Sequence, residues 1–428
     1  MKPLYKLIEN HFLTEGKILI LDINNNSYFS DLEVLCFCTF ITHFIMKKAI
    51  ICIAVAINFV TMLYAQEIKI QDNNFKYALL NHYPVIDLDS NQSISYAEAA
   101  IVRVLNLNAC GIADITGVEN FTSLDSLFCN DNLLYRLPLN TFVDLKLLNC
   151  SNNNLSFLDL SDNLHLIKLY CGGNLLKDLD VSTNSALAIL WCGNNLFSAI
   201  DVNNNPKLIF LSCSYNRIST LDISKNFQLE DLKCSWNNLN SLDISNNVKL
   251  KELYCYHNAL TTLNISKNIF LNILNCYTNQ ITNLNLTENI NLTELNCAQN
   301  LLSNINTYKN AKLITLVCNK NQLSMLDVNQ NILLRKLYVD NNLVSNICLN
   351  STQNESINDN VFKWEKDANT NWNICNENVI NTSGEQHITS PELLKVYTIW
   401  GLEIPEINAK YGVYIYIYSD GSSRKHLN

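Results

Sequence analysis

The chain has 428 residues, 48% of them hydrophobic, with 10 glycines and 6 prolines, so it can bury a core and is neither collagen-like nor a disordered low-complexity polymer. Asp and Glu outnumber Lys and Arg by 39 to 30, which argues against nucleic acid as a partner, because phosphate recognition needs a clustered basic face. The first predicted element in chain order is a targeting segment. From Met46, MKKAIICIAVAINFVTMLYAQ passes through two lysines, an apolar run from Ala49 to about Leu63, and the small residue Ala65 before Gln66. That is the layout of a secretory signal peptide over 46–65. The run is shorter than the ~20 apolar residues that span a bilayer, and Asn58 interrupts it. Residues 1–45 are therefore read as an over-extended start. The mature chain is expected to begin near Gln66, with no stable membrane span and a secreted or outer cell-surface location.

Residues 66–101 contain NNFKYALLNHYPVIDLDSNQSISYAEAAI, expected to form a small helical N-terminal cap. Within it, DLDSNQSISYAE places Asp87, Asp89, Asn91, Ser93, Ser95 and Glu98 at the spacing of oxygen ligands and resembles an EF-hand-type calcium loop. The resemblance implies calcium held by Asp87, Asp89, Asn91, Ser93 and Glu98. Gln92 stands where that loop wants glycine for a positive φ, and the alternative is an Asp-rich turn without metal.

From Leu124 a leucine recurs every 21 residues through Leu145, Leu166, Leu187, Leu208, Leu229, Leu250, Leu271, Leu292 and Leu313 to Leu334. The unit reads L-x-x-L-x-C-x-x-N-x-L-x-x-L-D-I-S-x-N. In one copy, Leu232 and Cys234 alternate with Asp231, Lys233 and Ser235, the period-2 pattern of a half-buried strand. Leu239, Leu242 and Ile244 return apolar side chains to the interior. No single unit can bury that face alone, so the copies must stack. Asn237 and its equivalents fall just after the strand, where amides can serve the turn's backbone groups from coil to coil. Cys129, Cys150, Cys171, Cys192, Cys213, Cys234, Cys255, Cys276, Cys297 and Cys318 hold one inward position that Leu107 and Val339 fill at the two ends. Free thiols are expected there, acting as small hydrophobes.

The template resembles the leucine-rich repeat family over Val102 to Ile347, and VRVLNLNACGIADITGVENFTS resembles the opening repeat of internalin-type bacterial members. The resemblance implies an α/β-type repeat solenoid of twelve coils: a curved horseshoe with a parallel β-sheet on its concave face.

Residues 348–385 are read as a C-terminal cap. Cys348 and Cys375 leave the 21-residue register, and in a secreted protein they are expected to form a disulfide. Residues 386–428 are expected to form a β tail. Val396, Tyr397 and Gly401, then Gly412, Val413 and Tyr414, then Arg424 and Lys425 resemble the end of the sorting domain used by the type IX secretion system of Bacteroidota, which implies that machinery as a partner.

Catalysis finds little support. Only His257 falls near the exposed end of a repeat strand, and the outward carboxylates Asp231, Glu252 and Glu294 single out no acid–base pair. Tyr170, Trp191, Phe210, Tyr215, Trp236, Tyr254, Tyr256, His257 and Tyr277 come from consecutive coils and are expected to form one stripe that binds a protein or glycan ligand on the concave face. The alternatives are rings that only stabilise the sheet, a non-binding structural spacer, and a carboxylate hydrolase on a solenoid scaffold.

Overall fold

The structure is a computed structural model that describes residues 46–51, 53, 66–357 and 363–375, and the strand segments 393–398, 403–404, 413–418 and 423–427. The presumed extension 1–45, most of the signal segment, and Gly401 and Gly412 of the tail pattern lie outside the described residues. No described helix is long and apolar enough to cross a membrane.

The repeats build a parallel sheet from three-residue strands. They are β1 Val104–Asn106, β2 Ser126–Phe128, β3 Leu147–Asn149, β4 Lys168–Tyr170, β5 Ile189–Trp191, β6 Phe210–Ser212, β7 Asp231–Lys233, β8 Glu252–Tyr254, β9 Ile273–Asn275, β10 Glu294–Asn296 and β11 Thr315–Val317. After the short β12 (Leu326–Asp327) come β13 (Lys336–Tyr338), β14 (Asn346–Leu349), β15 (Lys363–Glu365) and β16 (Asn371–Ile374). β1 to β11, β13 and β15 form one thirteen-stranded sheet in chain order. The sequence predicts twelve coils; the thirteenth strand, β15, comes from the C-terminal cap, which extends the sheet by pairing Leu337 with Trp364. Behind it, β12, β14 and β16 form a second parallel sheet.

Burial follows the template. Leu232, Cys234, Leu239 and Ile244 are fully buried, as are their counterparts in neighbouring coils, so each coil seals the next. All ten register thiols are free and buried. Burial pushes them up, to about 12 at Cys150, Cys213, Cys276 and Cys318, so they stay as neutral thiols.

Two ladders of asparagine satisfy the backbone between coils. In the first, Asn237 Oδ1 accepts from Ile218 N–H at 3.0 Å, while its Nδ2 donates to the carbonyls of Cys213 and Cys234, each at 3.1 Å. The second uses the closing asparagine of the template, to which the sequence reading assigned no role. Asn247 Nδ2 donates to Ile223 O and Asn226 O, and Asn226 repeats the pattern one coil earlier. Gln353 ends this ladder, its Nε2 reaching Val328 O and Asn331 O.

At the N-terminus, α1 (Asn73–Leu80) begins at Asp72. Its Oδ1 caps the helix through Asn74 and Phe75 N–H, and its Oδ2 accepts from Ala113 and Asp114 of the first coil. Burial raises the Asp72 carboxyl, but those four N–H bonds outweigh it and hold the group below the usual carboxylate range. α2 (Tyr96–Ala100) starts with a capping box between Ser95 and Glu98. At the other end, α3 (Ser351–Ser356) starts at Asn350, and Cys348 is disulfide-bonded to Cys375. In the tail, β17 (Leu393–Thr398), β18 (Glu403–Ile404), β19 (Val413–Tyr418) and β20 (Ser423–Leu427) form an antiparallel sheet in the order β18-β17-β19-β20.

Candidate functional site

Each coil presents the first and third residues of its strand to the concave face, then two residues past the buried cysteine. In the coil of β7 these positions are Asp231, Lys233, Ser235 and Trp236, of which Ser235 is buried. The expected ring residues all lie at such positions, but they fall into two rows where the sequence reading predicts one stripe. The reason is that strand and post-strand positions leave the sheet at different heights along each coil.

The first row runs along the strands. Tyr170 and Trp191 have centroids 6.4 Å apart, and Trp191 and Phe210 6.1 Å, all tilted. The Lys233 ammonium then continues the row, 5.2 Å from the centroids of both Phe210 and Tyr254. Trp191 is 49% exposed, and its indole lies against Gly172, where an added Cβ would stand 3.2 Å from the ring.

The second row is a slab past the strands. Tyr215 stacks on Trp236 at 5.5 Å and Trp236 on His257 at 3.7 Å, with interplanar angles of 14° and 18°. Tyr256 stacks on Tyr277 at 4.6 Å, and His257 meets Tyr277 edge-on at 5.0 Å. Tyr215 and Trp236 remain 52% and 42% exposed. Tyr215, Trp236 and His257 lie face to face, as do Tyr256 and Tyr277, so each of these stacks covers the ring faces it shares.

Tyr215, Trp236 and His257 adopt φ of +57°, +54° and +51°. Gly173 and Asn152 hold the same turn position in earlier coils, as this left-handed backbone favours. Thr278 and Lys320 adopt it too, so the turn belongs to the coil. Placing three consecutive aromatic residues there costs about 1 kcal/mol each, of the same order as the ~0.5–1.5 kcal/mol returned per stacked pair.

Carboxylates lie beside the rings. Asp231 pairs with Lys233 at 3.3 Å. Burial raises the Asp231 carboxyl against the opposing pull of that ammonium. Tyr254 is pushed up to about 12 by burial and then by Glu252 and Asp231. Asp231 and Glu252 are direct register partners, but Asp231 is held by Lys233, and two cavities of about 300 Å³ lie elsewhere, beside His82 and beside Arg136.

In the cap loop, carboxylate oxygens of Asp87, Asp89 and Glu98 all lie within 4.8 Å of one another. Asp87 accepts from Asn91 and Gln92 N–H, Asp89 from Asn91 N–H, and Asn91 Oδ1 from Ser93 N–H and its hydroxyl. Glu98 accepts from Leu88 N–H and from Ser95; burial raises its carboxyl, but these bonds outweigh that and hold it low. Gln92 takes the positive φ, +70°, that its place in the loop demands.

Sequence reasoning missed a second apolar patch. Phe227, Val248, Ile269, Phe270 and Ile290 follow the second-ladder asparagines on successive coils and are each roughly half exposed. Its signal was an apolar residue recurring directly after the closing asparagine.

No family model matches the chain, and no curated protein matches it. Solved structures do. The functional domain of InlJ from Listeria monocytogenes, described as including a cysteine ladder, is 24% identical with a TM-score of 0.57, covering 83% of this chain and 96% of its own. An internalin, InlF, from Listeria monocytogenes str. 4b F2365 is 21% identical with a TM-score of 0.59, covering 71% and 96%. These likenesses show the fold: a leucine-rich repeat solenoid whose sheet is built from stacked parallel coils.

Proposed function

We propose that the chain is an exported binding protein that captures a protein ligand across the middle coils of its concave face. The observation that carries this reading is the ring slab: contiguous, partly exposed, and centred on left-handed turn positions that the coils on either side fill with small or polar residues. Such patches are uncommon on soluble surfaces, and Tyr and Trp are frequent interface anchors. A glycan fits less well, because sugar stacking uses ring faces and the slab's stacks cover the faces they share. The test uses ligands selected from a displayed peptide library on residues 66–428. Trp191→Ala with Trp236→Ala is expected to weaken their binding about a hundredfold, as two anchors would. Lys336→Ala with Asp340→Ala should leave it within about threefold, as rim residues do. Equal losses in both pairs would contradict the reading.

Export is supported by the signal layout from Met46 and the sorting-like tail. Deleting residues 386–428 is expected to abolish surface exposure on whole cells; unchanged exposure would exclude that route.

The convergence of Asp87, Asp89 and Glu98 favours a second site, for calcium, with Asn91 and Ser93 as further oxygen ligands. Extracellular calcium modules bind at about 10⁻⁴ to 10⁻³ M, so about 10 mM calcium should stabilise the cap by roughly 1.4 to 2.7 kcal/mol. The thermal midpoint should rise in calcium against chelator and should not rise in Glu98→Gln. An identical midpoint in both buffers would leave the loop as a metal-free cap turn.

A further inference from the structure

We infer that the ligand is a basic peptide segment whose Arg or Lys side chain docks over Ile273, between Glu252 and Glu294. The inference rests on the binding reading above and names the chemistry of its ligand.

The face already shows how it holds a cation. In the coil of β7, Lys233 pairs with Asp231 while its ammonium lies 5.2 Å from the Phe210 and Tyr254 ring centroids. A carboxylate and two rings therefore share one ammonium, each attracted to it for its own electrostatic reason. The coil of β8 offers the same kinds of partner, Glu252 and Tyr254, hydrogen-bonded to each other, and its own strand-side cation, Lys251, turns away to Glu230. Further along, Ile273, Asn275, Glu294 and Asn296 fill the outward strand positions, without a cation.

Register places these groups. Glu252 pairs with Ile273, and Ile273 with Glu294, so the two glutamates stand two strand spacings apart, about 10 Å at the backbone. A cation over Ile273 would lie about 5 Å from each. Neither glutamate forms an ion pair among the described residues. The nearby cations are committed elsewhere: Lys233 to Asp231, and Lys251 to Glu230 at 2.7 Å. Glu252 and Glu294 thus add two negative charges beside Tyr254, with Tyr256 and Tyr277 of the slab adjacent. An aromatic, acidic face complements a basic segment and repels an acidic one.

The experiment compares peptides selected on residues 66–428 for binding to the parent, to Glu252→Gln with Glu294→Gln, and to Trp191→Ala with Trp236→Ala. Glutamine keeps the shape and removes only the charge. The selected peptides are expected to carry Arg or Lys, to bind the glutamine pair at least about tenfold more weakly, and to weaken as salt is added. Peptides without basic residues that bind the glutamine pair as tightly as the parent, yet need the tryptophans, would overturn this inference and leave the binding reading standing. Peptides indifferent to both pairs would overturn the binding reading itself, and an empty selection would overturn both.

Discussion

Replacing Asn237 by alanine is expected to destabilise the solenoid by about 3 kcal/mol or more, a large effect for one polar residue. Its amide serves four backbone groups: the N–H of Ile218 and the carbonyls of Cys213, Cys234 and, at 3.3 Å, Ser235. Alanine orphans the Ile218 N–H, at roughly 1–3 kcal/mol, and removes one of two amide bonds at each of the Cys213 and Cys234 carbonyls, which Asn216 and Asn258 still serve, at about 0.5–1.5 kcal/mol per bond. The adjacent Asn238 is exposed, and Asn238→Ala should fall within about ±0.5 kcal/mol. Urea unfolding of the two variants measures the contrast. A similar small effect for both would mean that the backbone relaxes to satisfy itself and that the ladder is incidental. Stacked coils share interfaces with their neighbours only, so the Asn237 variant should also broaden the transition by uncoupling the two halves.

Reducing the Cys348–Cys375 bridge is expected to cost about 3.5 kcal/mol on the chain-entropy model, given a sequence separation of 27 residues. The cost should be local. The bridge ties β14 to the end of β16, so the cap should melt before the coils of β1 to β11, and β15 should lose its pairing with β13. Amide exchange under mild reductant reads this directly. The ten register thiols should behave oppositely. Buried and held neutral, they should resist alkylation in the native state and react only after unfolding. Bridges mapped among them, or a cap whose exchange ignores reductant, would contradict this division.

The fold was legible because its signal repeats. Leu232 and Cys234, read once, are weak evidence for a strand; read at one spacing in coil after coil, they leave no competing architecture. What stayed hidden depends on partners that a period does not name. The closing asparagine is as regular as the first, but its bonds reach main-chain carbonyls, which carry no sequence signature. Gln353 inherits that role outside the register, and Lys363–Glu365 joins the sheet from FKWEK, which shares none of the repeat's leucines.

The rings of the candidate site were legible as a set of concave-face positions, less so as a surface. Every ring named from the sequence lies on the concave side. Their division into a strand row and a post-strand slab follows from the left-handed turn at Tyr215, Trp236 and His257, which single-residue reading did not predict. The role of Lys233 as the link between Phe210 and Tyr254 was likewise invisible, since it joins residues of three different coils. The exposed edge at Phe227 and Phe270 lies after the coil's closing asparagine, where the repeat template leaves the residue unspecified.

That edge makes the decisive measurement possible. Hydroxyl-radical footprinting of residues 66–428, with and without a peptide selected for tight binding, reports on both apolar surfaces at once. The account predicts protection of Trp191, Tyr215, Trp236, Tyr256 and Tyr277, with Phe227 and Phe270 as reactive in the complex as in the free protein. Protection confined to Phe227 and Phe270, with the slab still reactive, would contradict it.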